Sequence, residues 1–150
     1  LLISKLSLDN KKFNDEYNQD VTWKTSDLRK WLNDEFMYEA FSQTERNLLI
    51  ETTTTRNGAK DKVSLLSYSE AEKYFSTRIA RKTMPSEYAI YKVDFVPTES
   101  GGNTWFWLRE GKAELTSGRV NADGTLFDRC GMDNSGFIRP IVWIDISKIK

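Results

Sequence analysis

The sequence predicts an α+β domain, with helices mainly in the first half and a twisted antiparallel sheet mainly in the second. Apolar residues at helical spacing and Ser-x-x-Glu capping boxes occur before residue 76. Strand-like segments and a strong hairpin signal follow after residue 104. Such segregation is typical of α+β folds rather than of alternating βαβ units.

The first half predicts capped helices set among short strands. Ser26 is a good N-cap, and Asp27 is favourable in the first turn of the helix that follows. That helix carries the apolar stripe Leu28, Trp31, Leu32 and Phe36. Trp31 and Leu32 are therefore expected to be buried against the sheet. The other elements, in order, are a strand at 1–4, a polar loop to residue 20, a helix at 42–50, a strand at 52–55, a turn at Asn57-Gly58, a strand at 63–66 and a helix at 67–75.

The second half predicts mainly strands. Asp123-Gly124 lies between two strand-like segments, which is a strong hairpin signal. The other elements are a helical turn at 85–88, a polar glycine-rich loop at 97–103, a strand at 105–109, a loop at 131–136 and a closing strand at 137–146. Both terminal strands are apolar, and we expect them to pair and bring the chain ends together.

The composition excludes several classes of function. With 150 residues the chain is expected to form a single domain. Its 22 basic and 22 acidic residues give no net charge, so nucleic acid is not an expected partner. There is no histidine and one cysteine, Cys130, which excludes Ser-His-Asp and Cys-His triads, histidine zinc sites and an intrachain disulfide. No catalytic residue, metal or cofactor is predicted, and the protein is not expected to be an enzyme.

The chain also lacks the patterns of a targeting or membrane segment. Its opening segment has no basic n-region, and Lys5 interrupts the apolar run. No stretch approaches the roughly 20 apolar residues of a membrane span, so no membrane insertion is expected. Because the sequence starts at Leu1 inside a predicted strand, it is expected to be a fragment of a longer protein.

Three blocks carry a family resemblance. The first is TWKTSDLRKWLN at 22–33, the second runs from Asp61 to Phe75, and the third combines FWLR at 106–109 with Arg139-Pro140. Together they resemble a bacterial family known only as a domain of unknown function, whose members are similar to the C-type-lectin-like fold. The resemblance implies an extracellular or cell-surface recognition or adhesion module. Its loop-rich face would bind a glycan or a protein.

Strand alternation places a candidate ligand surface on residues 105–109. Phe106 and Leu108 are expected to point to the core, whereas the alternate side chains share the other face. Two indoles beside a guanidinium would make a stacking platform for a sugar ring or an aromatic side chain. The alternative is that this face is also covered, and the tryptophans belong to the core. The candidate ligand-binding residues are Asn103, Trp105, Trp107, Arg109 and Glu110.

Other constellations give weaker indications. A carboxylate-dependent, glycosidase-like hydrolase needs two carboxyls about 5 to 10 Å apart in a cleft. The candidates by location are Glu99, Glu110, Asp123 and Asp133. Asn121, Asp123 and Asp128 offer oxygens to a hard cation, but a hairpin turn explains Asp123-Gly124 better. Arg29 and Arg139 are expected to tie loop carbonyls or carboxylates together.

Overall fold

The structure, a computed structural model, describes residues 1–16, 20–55, 58–94, 100–112, 117–131 and 134–149. The α-helices are α1 (Asp27–Trp31), α2 (Met37–Ala40), α3 (Gln43–Leu48), α4 (Tyr68–Tyr74), α5 (Arg78–Arg81) and α6 (Glu87–Val93). A π-helical segment, Leu32–Phe36, joins α1 to α2. Short 3₁₀ turns lie at Trp23–Thr25, Ser100–Gly102 and Ile146–Lys148. No helix in these described ranges has both the length and the apolar character needed to cross a membrane.

Within the described residues the strands form three sheets. They are β1 (Leu2–Ile3), β2 (Asp9–Lys12), β3 (Thr52–Thr53), β4 (Lys60–Asp61), β5 (Val63–Ser64), β6 (Phe106–Leu108), β7 (Gly118–Val120), β8 (Leu126–Phe127), β9 (Ser135–Ile138) and β10 (Ile141–Val142). The largest sheet has the order β2-β9-β6-β7-β8, and the others are β1-β10-β5 and β3-β4. All pairs are antiparallel except β6 with β9. The predicted α+β class is confirmed.

The expected pairing of the terminal strands is also confirmed. In β1, Leu2 lies opposite Val142 and Ile3 lies opposite Ile141. The predicted caps form as well. The Ser26 hydroxyl accepts a hydrogen bond from the Arg29 amide, and capping boxes start α3 at Ser42 and α4 at Ser67.

The large sheet is packed on both faces. Trp107 and Ile138 belong to a cluster with residues of the α1 side, among them Trp23 and Leu32. The adjacent side chains Phe106 and Leu108 of β6 and Phe137 of β9 belong to a second cluster. This cluster also contains Leu66, which precedes α4, Ala71 of α4 and Ala89 of α6. Alternation along the central strands therefore divides side chains between two cores, not between a core and solvent.

Three predicted boundaries were wrong. The expected polar loop before residue 20 contains β2, whose Asp-Asn-Lys-Lys sequence has low β propensity but pairs along its length with β9. The expected closing strand is two strands, because the chain passes from the large sheet to the small one at Arg139-Pro140. The helical turn expected at 85–88 is the longer helix α6. In the predicted turn at Asn57-Gly58, Asn57 lies outside the described residues.

The predicted burial of the apolar stripe at residues 28–36 is only partly confirmed. Leu28, Leu32 and Phe36 are buried, but Trp31 is half-buried. The π-helical segment after Trp31 changes the helical repeat there. It brings the Trp31 and Phe36 rings within 5.2 Å of each other and leaves part of the indole at the surface.

Candidate functional site

The predicted stacking platform is wrong for Trp107, because this side chain is fully buried. Its ring lies 5.4 Å from that of Phe13, and its indole N–H donates to the Lys11 carbonyl at 3.0 Å. Helices and loops cover both faces of the sheet, so the side of β6 opposite Phe106 is a second core. Of the two alternatives that the sequence left open, the covered one holds for Trp107.

Trp105 occupies the border of the same core. It is half-buried and meets Trp107 edge-on, with centroids 5.0 Å apart. The Arg119 guanidinium lies between the Trp105 ring at 5.2 Å and the Phe127 ring at 5.0 Å. This stack holds the start of β6 against β7 and β8, and one face of the Trp105 ring is therefore in contact with Arg119 rather than with solvent.

Asn103 is engaged within its own turn. Its amide donates to the Ser100 carbonyl at 2.5 Å, which closes the Ser100–Gly102 turn. Ser100, Gly101 and Gly102 all have positive φ there. Neither Asn103 nor Trp105 lines the pocket around Glu110, so the structure does not bring the five predicted residues together.

Arg109 is a buried clamp rather than an exposed ligand-binding group. Only 5% of it is exposed, and its guanidinium forms a bidentate pair with Glu70 at 2.5 and 2.9 Å. It also donates to the carbonyls of Thr54 at 2.8 Å and Leu65 at 2.7 Å. One side chain therefore joins the end of β6, the segment after β3, the segment after β5 and the first turn of α4.

Glu70 completes the clamp and caps α4. Its carboxylate accepts from the backbone N–H of Ser67 at 3.0 Å while it pairs with Arg109. Burial alone would raise the pKa of Glu70. The hydrogen bonds and charge of Arg109, with the Ser67 amide, outweigh burial and hold that pKa below its usual value. The clamp is thus ionised at neutral pH.

Above this clamp lies an open pocket of about 370 Å³, which we call the hydroxyl pocket. Most of its lining side chains carry a hydroxyl group. The lining residues are Thr53, Thr54, Thr55, Ser67, Ser69, Glu110, Gly111 and Lys112. Glu110 is the one predicted ligand-binding residue that lines it.

Backbone contacts fix the walls of the hydroxyl pocket. The Tyr68 amide donates to the Glu110 carbonyl at 3.1 Å, and the Arg109 amide donates to the Leu66 carbonyl at 2.9 Å. The Lys112 amide donates to the Asp128 carboxylate, which anchors the loop after β6. The Lys112 ammonium lies 5.5 Å from the centroid of the Tyr68 ring. The pocket wall is therefore built from a strand end, a helix start and a fastened loop.

The side chains of the hydroxyl pocket suit a polyhydroxylated ligand. Serine and threonine hydroxyls both donate and accept hydrogen bonds, the Glu110 carboxylate accepts, and the Lys112 ammonium donates. Sequence reasoning missed the threonine wall, because residues 52–55 were interpreted only as a β-branched strand. The available signal was that four consecutive hydroxyl side chains are more than one buried strand face needs.

The comparison with protein families gives one result. A family model described as Domain of unknown function (DUF6273) matches residues 1–146. The chain belongs to the DUF6273 family. No curated protein and no solved structure matches it. Membership confirms that part of the predicted resemblance which concerned a domain of unknown function, and it assigns no activity.

In this DUF6273 domain, two of the blocks that carried the resemblance meet at a buried carboxylate. Asp61 is 1% exposed and accepts hydrogen bonds from the Trp23 indole at 2.8 Å, the Thr54 hydroxyl at 2.6 Å and the Arg29 guanidinium at 2.6 Å. Asn33 accepts from the Val63 amide at 3.2 Å and donates to the Val63 carbonyl at 2.9 Å. These contacts fasten α1 and the π-helical segment to β4 and β5, so these residues of the two blocks have a structural role.

Arg139, from the third block, is structural as well. It donates to the carbonyls of Ser4 at 2.9 Å and Arg81 at 3.1 Å. Its guanidinium lies between the Phe75 and Phe106 rings, at 5.3 and 5.4 Å. Burial lowers the pKa of this guanidinium. The expectation that Arg29 and Arg139 tie segments together is confirmed.

The hairpin interpretation of Asp123 holds. Its carboxylate accepts from the amide of Thr125 at 2.9 Å and from its hydroxyl at 2.7 Å, and these bonds lower the pKa of Asp123. Asn121 donates to the Thr125 hydroxyl at 2.9 Å. Since Asp128 receives the Lys112 amide, each of the three oxygen-bearing residues considered for a cation takes part in local structure.

Proposed function

We propose that this domain is a non-enzymatic recognition module that binds a glycan in the hydroxyl pocket. The observation that carries the proposal is an open pocket of about 370 Å³ that presents the exposed hydroxyl side chains of Thr53 and Ser69, one carboxylate and one ammonium. The other three lining hydroxyls, those of Thr54, Thr55 and Ser67, are buried and hydrogen-bonded within the protein, and they hold the pocket wall in place. Its volume falls within the range usual for small-molecule sites. Sugar hydroxyls pair well with groups that both donate and accept.

The support beneath the pocket favours binding. Arg109 holds Thr54 and Glu70 in fixed positions, so the walls are ordered before a ligand arrives. Preorganised polar walls reduce the entropy lost on binding. Arg109 is therefore a positioning residue in this proposal, whereas Glu110 and Lys112 contact the ligand.

A carboxylate-dependent hydrolase on the same scaffold is the second candidate, and the geometry favours it less. A general acid needs a raised pKa, but the clamp lowers that of Glu70, the carboxyl below the pocket. Glu110 is the one carboxylate among the described lining residues, and Asp123 is engaged in its hairpin. Glu99 and Asp133 lie outside the described residues.

The proposal includes an extracellular or cell-surface location in a bacterium and a relationship to the C-type-lectin-like fold. Both come from the sequence resemblance. The paired terminal strands support the fold relationship, since such folds close in this way. A location outside the cell suits a domain that recognises glycans.

A glycan array followed by calorimetry tests the proposal. The array identifies an oligosaccharide, and calorimetry measures its affinity for the wild type and for Glu110→Gln and Ser69→Ala. Loss of a hydrogen bond to a ligand costs about 0.5 to 1.5 kcal/mol, and about 1.5 to 3 when a charged group is involved. We therefore expect Ser69→Ala to weaken binding about 2- to 12-fold and Glu110→Gln more than that.

Matched controls are available on the surface. Ser76 and Glu72 are exposed and lie outside the pocket, so Ser76→Ala and Glu72→Gln should bind as the wild type does. An array without any bound glycan would contradict the proposal. Equal affinities for the pocket variants and the controls would contradict it too.

A further inference from the structure

A second concave surface lies between β2 and the segment formed by α1 and the π-helical turn after it. It encloses about 270 Å³, and we call it the Trp31 groove. It shares no lining residue with the hydroxyl pocket. Trp31 forms its apolar part, and the contact with Phe36 at 5.2 Å supports the indole from the core.

The chain itself places an ammonium group on this indole. The Lys11 Nζ lies 4.5 Å from the centroid of the Trp31 ring. A cation within about 6 Å of an indole centroid is attracted by the negative face of the ring. Lys11 therefore shows that the indole is accessible to an aliphatic ammonium and is oriented to receive it.

Carboxylates outnumber ammonium groups around this position. The groove is lined by four carboxylates and three ammonium groups, and Asp27 pairs with Lys30 at 2.9 Å. The carboxylates of Asp15, Asp34 and Glu35 have no hydrogen bond or ion pair to any other described residue. Lys11 likewise forms no ion pair within the described ranges. An incoming cation would meet unpaired negative charges beside an aromatic face.

We propose that the Trp31 groove binds a lysine side chain of a peptide or protein partner. The partner's ammonium takes the position of Lys11 over the indole, and Asp34 or Glu35 neutralises it. The aliphatic stem lies along the indole, as lysine stems do on apolar surfaces. Lys11, on the edge strand β2, moves into solvent and competes with the ligand for the ring.

A capped trilysine peptide is the probe for this proposal. Its affinity is measured by calorimetry at low salt for the wild-type protein, with a capped triglutamate peptide as the control ligand. We expect the trilysine peptide to bind and the triglutamate peptide not to bind. Binding should weaken as NaCl is added, because exposed charges are screened within about 10 Å at 0.1 M salt.

Two variants should change the affinity in opposite directions. Trp31→Ala removes the ring, and loss of the cation–π contact should weaken trilysine binding about 3- to 30-fold. Lys11→Met removes the competing ammonium while keeping a long side chain, so binding should strengthen. Lys5→Met, at an exposed lysine outside the groove, should leave the affinity unchanged.

The combined results decide the question. If Trp31→Ala is misfolded by circular dichroism, Lys11→Met alone is decisive, because Lys11 is on the surface of an edge strand. An affinity that stays the same or falls in Lys11→Met would overturn the proposal. No measurable trilysine binding to the wild type would overturn it as well. None of these outcomes affects the glycan proposal, whose residues lie elsewhere.

Discussion

Replacement of Arg109 by methionine should strongly destabilise the domain. Methionine retains much of the side-chain volume but leaves Glu70 without its bidentate partner. Breaking a buried ion pair from one side costs about 3 to 5 kcal/mol. Glu70 is 24% exposed and can recover some hydration, which reduces this cost. The carbonyls of Thr54 and Leu65 lose their donor, which adds to it.

These opposing effects place the expected loss for Arg109→Met near 4 kcal/mol, within the range for broken buried pairs. For a domain of this size 1 kcal/mol corresponds to about 2 to 4 °C, so the melting temperature should fall by roughly 8 to 16 °C. Arg109→Lys should lose most of the same stability, since one ammonium cannot reproduce the planar fork.

Urea unfolding followed by circular dichroism measures the loss, with Arg78→Met at an exposed arginine as the control. The control should change the free energy of unfolding by no more than about 0.5 kcal/mol. If Arg109→Met melts within 2 °C of the wild type, the clamp does not hold the fold together and our reasoning about the pocket walls fails.

Three further predictions concern stability. Because the folded state lowers the pKa of Glu70, ionisation of this carboxyl stabilises the protein fully above its unfolded pKa near 4.5, and the contribution should disappear as the pH falls through the lower folded pKa. Urea titrations from pH 7 to pH 3 should therefore show a smaller loss of unfolding free energy on acidification in Glu70→Gln than in the wild type. Gly136→Ala should destabilise the protein by about 1 to 3 kcal/mol, because a Cβ there would overlap the Trp105 ring. The added Cβ of Gly58→Ala meets no neighbour within 4 Å, so this variant should cost only the strain of its positive φ. Thermal melts that show Gly58→Ala to be the less stable of the two would contradict this packing. Trp23→Ala should cost about 3 to 5 kcal/mol and Trp31→Ala clearly less, since Trp23 is 1% exposed and Trp31 is half-buried; equal losses in urea would show that both indoles are core.

The sequence predicted the local elements that have strong chemical signals. Serine caps, the Asp123-Gly124 hairpin and the apolar terminal strands all formed as expected, because each depends on neighbouring residues or on a simple hydrophobic pattern. The strand β2 was missed since its polar residues are held by pairing with β9, which is distant in sequence. Long-range pairing of this kind leaves no local signal.

The candidate site was predicted less well, for a related reason. Alternation along 105–109 correctly separated Phe106 from Trp107, but it could not reveal that both faces of β6 are covered. Burial of Arg109 depends on Glu70, Thr54 and Leu65, which come from other segments. Only Glu110 was placed at the pocket, because it directly follows the strand and lies in a loop.

Chemical-shift mapping by NMR with the array-selected oligosaccharide tests the central claim most directly. The amide signals around the hydroxyl pocket should shift on titration, saturate and fit a single dissociation constant; these amides belong to residues 53–55, 67–69 and 110–112. Amides near Trp31 should remain unchanged, because the groove there is a separate site. Saturable shifts that avoid the pocket and cluster elsewhere would contradict the assignment of glycan recognition to these residues.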